Sequence, residues 1–506
     1  MATIYTAEIQ AYDPGTSGVI TYRVATHGFV DAGTIYEPRI EKLPTFSRSI
    51  RTSLVGGTST ELSFGELRLL NGDGGLNAMR DDYFDGRKIT IKKGDSAAAY
   101  GTFTTVMIAR IAGLSFEPGY VSVRIRDRLP ELNNVYSDKV YGGTNSLPNG
   151  VDGRPDDIKG QYRPAVWGIV SNMQPVLVNT SKLIYEVCCE GAEHVRNVFG
   201  GGAYLEKGSA YSTESDMYSN QPAPGTFRLY QSGSACYFRL GSTPYGKVTC
   251  SVFKHIANSN FVAAAGMLEL ILLQRSFVSG TDYNASDFTT LKQKSNGPLG
   301  IVVQPGETIA SLIDRICGTV GAWWGFDLTD QFRVKLFDFG SSVAALTAVQ
   351  LRDIEGQASD EEIPWRITIP GDWNYATQAK SELAGIAQEN TSRVGWLTNE
   401  TRDQTSENTT IKTQRLTARE QRHDGYFTAI SQAQAEATRR LGLFGTRRDV
   451  VTAKLMDYAS YAGAIDLGVT VTVQHSEIGY TSPRTMIVTG IDIDLDANTA
   501  DLTLWG

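Results

Sequence analysis

KITIKKG (88–94), YGTFTTVMIARIAGLSF (100–116) and YVSVRIRDR (120–128) decide the fold class. Apolar and polar residues alternate along them with a period of two, which puts one face of each segment in a core and the other in water, the signature of half-buried strands. Upstream, IYTAEIQAY (4–12) and VITYRVAT (19–26) flank the turn DPGTSG as the two arms of a hairpin. GLNAMRDDYF (75–84) has room for one short helix between strands. Residues 1–130 therefore read as a compact β-domain of barrel or sandwich type. The last sixty residues return to the same pattern in DVVTAKLMD, GVTVTVQH, RTMIVTGIDIDLD and TADLTLWG, so a β-domain is expected at each end of the chain without a visible tandem repeat.

Composition agrees. The 506 residues are 41% hydrophobic and 20% charged, ordinary for a chain with real cores, and Gly (51) far outnumbers Pro (17), as strands joined by tight turns require. The formal net charge of −8 argues against a surface that grips nucleic acid. The N-terminal MATIYTAEIQAYDP lacks a basic start followed by an apolar run, so no signal peptide is expected and synthesis is expected in the cytoplasm. The most apolar run, FVAAAGMLELILLQR (261–275), is too short to span a membrane and carries Glu269, so it reads as a buried helix.

Between the two ends the text changes character. Residues 131–300 read as a loop-rich β-domain with that buried helix, and their first part, about 131–180, is dominated by Gly, Pro, Asn and Asp and reads as a long ordered loop. TDYNASDFTTLKQ opens a further helix with Asp and Ser as caps. Residues 301–377 form an α+β segment, in which ETIASLIDRICGTVG places Ile309, Leu312, Ile313 and Ile316 on one helical face and AWWGFDLTDQFRVKLFDF makes a hairpin about LTDQ. Residues 378–412 are polar and read as an exposed excursion. Residues 413–506 hold a helix ending at Gly442 or Gly445 and then the C-terminal β-domain.

No constellation carries catalytic chemistry. The five histidines (27, 194, 255, 423 and 475) are isolated, and no nucleophile elbow or phosphate-cradling glycine loop is present. Asp156-Asp157 and Asp360-Glu361-Glu362 are the kind of carboxylate cluster any chain with 55 acids produces. The five cysteines lack metal-ligand spacing and read as small buried hydrophobes. Trp323-Trp324 reads as core packing in preference to a sugar platform. NGDGGLNAMRDDYFDG (71–86) looks like a calcium loop, yet in either register glycine and the twelfth ligand fall at the wrong positions. It is expected to be a turn and short helix with Leu76, Met79 and Phe84 inward and Asp81, Asp82 and Asp85 wet. No enzyme activity, cofactor or metal is expected.

Several passages, taken in order, resemble the tail-tip (baseplate) hub proteins of long-tailed, siphovirus-like bacteriophages and of gene transfer agents. They are TAEIQAYDPGTSGVITYRVATHGFV, FGELRLLNGDGGLNAMRDDYFDGRKITIKKG, VRIRDRLPELN followed by YGGTN and GVDGRPDDIKGQYRPAVWGIVSNMQPVLVNTSKLIYEV, then ACYFRLGSTPYGKVTCSV, TDYNASDF, GAWWGFDLTDQFRV, AEATRRLGLFG and DLTLWG. The resemblance implies a mainly β chain with minor α, two tail-tube-like β-barrel domains with inserted α+β and β domains, and a homotrimeric ring closed by head-to-tail contacts. It implies a structural role in the virion, assembled in the host bacterial cytoplasm: joining the six-fold tail tube and distal tail protein ring to a three-fold central fibre or tail spike protein, beside the tape-measure protein, with transient passage of phage DNA and no stable nucleic-acid binding. The loop GGTNSLPNGVDGRPDDIKGQYRPAVWG is the candidate inter-protein surface, through Tyr162, Arg163, Pro164 and Trp167, because aromatic and Arg side chains are favoured at interfaces. The alternative is a tail-associated host-surface module that binds carbohydrate or degrades cell wall.

Overall fold

The computed structural model describes residues 3–50, 60–190, 194–233, 235–254, 262–359 and 363–506. His255 and Asp360-Glu361-Glu362 lie outside the described residues. The chain is mainly β with minor α. Its N-terminal sheet has nine strands in the order Phe29–Asp31, Thr34–Pro38, Gly18–Ala25, Thr3–Asp13, Lys88–Asp95, Thr104–Glu117, Tyr120–Arg126, Glu66–Leu70, Ile40–Lys42. The three period-two segments are its centre, and their alternating Ile89, Ile91, Met107, Ala109, Ile111, Val121 and Val123 enter the core. One sheet of the molecule curls into a half-barrel, and neither end sheet closes on itself among the described residues.

The C-terminal sheet runs Ser342–Thr347, Thr470–His475, Tyr480–Asp494, Thr499–Trp505, Arg448–Met456, Leu351–Ser359. A strand from the other end of the chain, Thr45–Ser49, joins it by pairing Ser49 with Gly490 through Thr45 with Asp494. The two end sheets consequently share one hydrophobic core, in which Ile9, Leu67 and Ile91 belong to the same cluster as Val471, Val488 and Leu504.

A second nine-stranded sheet fills the middle, and its outer strands include Val166–Met173 against Gly300–Val302. The expected loop therefore ends near residue 165; VWGIVSNM and Val176–Asn179 are strands. The strand is hidden in the sequence because it is buried on both faces and holds Gly168 at a φ of 68°. A Cβ there would sit 2.1 Å from the Leu299 carbonyl oxygen, so only glycine permits this approach of two backbones.

The helices bury the faces their spacing indicates. Ile309–Val320 is capped by the Thr308 hydroxyl, which accepts from Ser311 N, and ends at Gly321. Ala264–Gln274 is buried beside it. Ala285–Lys294 is capped by Asn284, whose side chain accepts from Ser286 N; neither Asp nor Ser provides the cap. The polar stretch 378–412 is largely exposed, yet it has regular structure. It contains helix Thr391–Thr398 and strand Arg402–Glu407, which pairs with Pro364–Gly371, and it buries Leu383, Leu397 and Ile411. A few apolar anchors and backbone pairing suffice to dock it.

NGDGGLNAMRDDYFDG is a turn and a single 3-10 turn, Asn77–Arg80, with Leu76, Met79 and Phe84 buried. Three of its acids, Asp73, Asp82 and Asp85, have partners. Asp73 takes two hydrogen bonds from Arg39 at 2.9 Å, and those bonds hold its carboxyl well below the ordinary range. Asp82 accepts from the Tyr22 hydroxyl and Asp85 pairs with Arg126.

The tryptophan hairpin Ala322–Phe326 and Phe332–Leu336 clasps the N-terminal sheet: Ile108 N donates to Leu328 O at 2.8 Å, and Arg110 Nε to Asp330 Oδ2 at 2.9 Å. Burial pushes the Asp330 carboxyl up to about 7 against the opposing charges of Arg110 and Arg128. A carboxyl raised in the folded state favours folding when protonated. Its contribution is full below the unfolded value of roughly 3.9 and is lost as pH rises through about 7. Relative to the unaltered chain, Asp330→Asn should therefore gain stability steadily between these two values, read by urea denaturation at constant ionic strength. A pH-independent difference would contradict the assignment.

Candidate functional site

Residues 133–165 cross the surface between the first helix and the middle sheet, held by side-chain to backbone bonds where ladder bonds are missing. Asp152 is the organiser. Its carboxylate accepts from Gly142 N at 3.0 Å and from the Thr144 hydroxyl at 2.7 Å, and it pairs with Arg163. Asn145 donates to Val178 O and accepts from Asp152 N, while Asn179 donates to the carbonyls of Pro148 and Gly150. Desolvation works against the Asp152 charge, but the Thr144 and Gly142 bonds and Arg163 together bring its carboxyl below the ordinary value. The loop is thus an ordered structure, tied to the sheet at residues 145–150 and at Arg163.

The four residues singled out from the sequence do not face one way. Tyr162 is 39% exposed and bridges Val140. Arg163 lies over the Tyr141 ring at 4.6 Å and reaches the fully buried Glu186 at 3.3 Å. Burial raises the Glu186 carboxyl, with Arg163 acting in the opposite direction. Pro164 offers its carbonyl to Cys189 N. Trp167 is fully buried on strand Val166–Met173, edge-on to Tyr136 at 6.2 Å, so it is a core residue and lies outside any outer contact surface. Its reason for being inside is the strand, buried on both faces, in which it sits.

The sequence reading passed over three apolar residues on the same loop. Val135, Val140 and Leu147 are exposed by 37%, 44% and 41%, on the same loop as Tyr162. Their signal was present as isolated aliphatic residues in an otherwise polar, aperiodic stretch. Elsewhere, Trp323 and Trp324 are buried, and all five cysteines are buried free thiols. Among the described residues no group of three or more His, Cys, Asp or Glu side chains converges as metal ligands, and no helix is long and apolar enough to cross a membrane.

No protein-family model matches the sequence, and no curated protein matches it. Several solved structures align with most of the chain at low identity. The 43 kDa tail protein of prophage MuSo2 from Shewanella oneidensis aligns at 10% identity and a TM-score of 0.41, covering 94% of this chain and 95% of its own. The tail protein from Neisseria meningitidis MC58 aligns at 10% identity and 0.41, covering 99% and 96%. A chain from the virion of a native gene transfer agent particle aligns at 14% identity and 0.44, covering 74% and 92%.

Proposed function

We propose that this protein is a structural hub of a phage-type tail tip, a homotrimer joining the six-fold tail tube and distal tail ring to a three-fold fibre or spike. The observation that carries the reading is the run of hub-like motifs from TAEIQAYDPGTSG to DLTLWG, in order along the chain. The architecture supports it: each end of the chain contributes a large antiparallel-rich sheet, and the two share one hydrophobic core. Three such units offer six sheets around an axis, which is how a three-fold ring would meet a six-fold tube. Heterologous contacts closing after three copies would build that ring. The net charge of −8 suits a channel that DNA passes through without the salt-dependent attachment that Lys- and Arg-rich surfaces produce. Burial of Trp323 and Trp324 takes away the most obvious sugar platform and favours the structural reading over a glycan-binding one.

In this assembly the loop with Tyr162, Val135, Val140 and Leu147 would face a neighbouring tail protein. Mass measurement of the purified chain over a concentration series, alone and with its tail partners, tests the ring: the expected particle contains three copies. A monomer under every condition overturns it. Tyr162→Asp is expected to weaken partner binding about tenfold or more, with an unchanged melting temperature. Unaltered binding removes the loop from the interface.

A further inference from the structure

The structure also holds a cavity away from that loop. It measures about 840 Å³ and opens where three parts of the chain meet: the N-terminal sheet near Tyr5 and Lys93, the tryptophan hairpin near Arg333 and Lys335, and the C-terminal segment 458–466. Such a volume suits a small organic molecule. Its charges are unequally answered. Arg333 is committed to Asp287 at 2.6 Å and Asp327 at 3.1 Å. Asp466 is taken by Arg48 Nη1. Asp95 turns its carboxylate to Ala97 N.

Two lysines of the lining remain without a close acidic partner among the described residues. Lys335 makes no salt bridge among the described residues, its ammonium lying 5.9 Å from the Trp323 ring centroid. Lys93 similarly rests over the Tyr5 ring at 5.6 Å. Arg48, only 1% exposed, forms part of the wall, and its Nε and Nη2 have no hydrogen-bond partner among the described residues. Leaving such donors unsatisfied in a protein interior is costly, and a negative charge held in the cavity beside them offsets part of that cost. Desolvation and the Arg333 charge, with Arg48 adding to them, also hold the Lys335 ammonium below its ordinary pKa, against the pull of Asp287 and Asp466.

We infer that this cavity is a binding site for a small molecule carrying a carboxylate or phosphate group, with Lys335 as the contacting cation, Lys93 at its side and Arg48 behind. The ligand would touch elements from both ends of the chain and so fasten the two end sheets to each other. This inference stands apart from the ring: it needs only the folded chain.

Isothermal titration of the full-length protein with inorganic phosphate and, separately, with citrate tests it in a low-salt chloride buffer. Saturable one-to-one binding of at least one probe is expected; phosphate alone or citrate alone then names the group that the site takes. Lys335→Gln should weaken binding by about tenfold or more and Lys335→Arg should restore most of it. Lys454→Gln, on the C-terminal sheet and outside the cavity, should change nothing. Arg48→Gln should abolish binding if it folds, and the Lys335 pair decides the matter if it does not. Absence of saturable binding by both probes, or equal binding by Lys335→Gln, overturns the assignment.

Discussion

Glu436→Gln is expected to destabilise the protein by about 3–5 kcal/mol, the cost typical of removing one member of a buried ion pair. Glu436 lies on helix Ile430–Phe444, and its carboxylate accepts from Arg440 Nε at 2.7 Å and from Arg439 Nη2 at 2.7 Å. Arg440 has no exposed surface, and its Nη2 donates to the carbonyls of Gly318 and Thr319 at the end of helix Ile309–Val320. The carboxylate therefore neutralises a guanidinium that water does not reach and that ties one helix to the end of another. Desolvation already depresses the Arg440 pKa, so loss of the facing negative charge is expressed as stability. Arg440→Met should cost less, because Glu436 keeps Arg439 and the methionine fills part of the space. Guanidinium denaturation reads both; equal losses for the two variants would show that packing and not charge governs the site.

Trp324→Ala is expected to cost a similar amount, about 3–5 kcal/mol, through the cavity it leaves. The indole is fully buried, stacks on Phe332 at 5.5 Å between centroids, and donates from Nε1 to Asp314 Oδ1 at 2.7 Å. Trp324→Phe should lose much less, since it keeps an aromatic ring against Phe332. The same hairpin receives the Ile108 amide at Leu328, so hydrogen exchange at Ile108 should quicken in the alanine variant. An unchanged exchange rate there would mean that the hairpin and the sheet are not coupled.

What the sequence made legible follows from which segments have one wet face. Lys88–Asp95 and Tyr120–Arg126 alternate because one side meets solvent or long polar side chains, and helix Ile309–Val320 repeats its apolar residues because only one stripe is buried. Val166–Met173 has no wet face and two residues of positive φ, Gly168 and Asn172, so neither its period nor its composition announced a strand. Trp167 was consequently read as a loop residue. The stretch 378–412 was illegible for the opposite reason: strand Arg402–Glu407 is held by backbone pairing, to which its polar side chains give no clue. At the candidate interface, the loop and Tyr162 could be read from composition, whereas the division of Tyr162, Arg163, Pro164 and Trp167 between surface and core needed the sheet behind them.

The exchange of strand Thr45–Ser49 into the opposite sheet has a consequence for biosynthesis. Arg48 on this strand meets Asp466 across 418 residues of chain, and the strand's own partner is Tyr480–Asp494. Pairings so distant in sequence form late, after the intervening chain has been ordered. A ribosome that has released only the first few hundred residues has therefore made a strand that can pair with Glu61–Phe64 along one edge while its other edge has no partner. A chain that stops before Tyr480 leaves that edge without its partner strand, and the unpaired backbone groups of an open edge are a template for pairing with other chains.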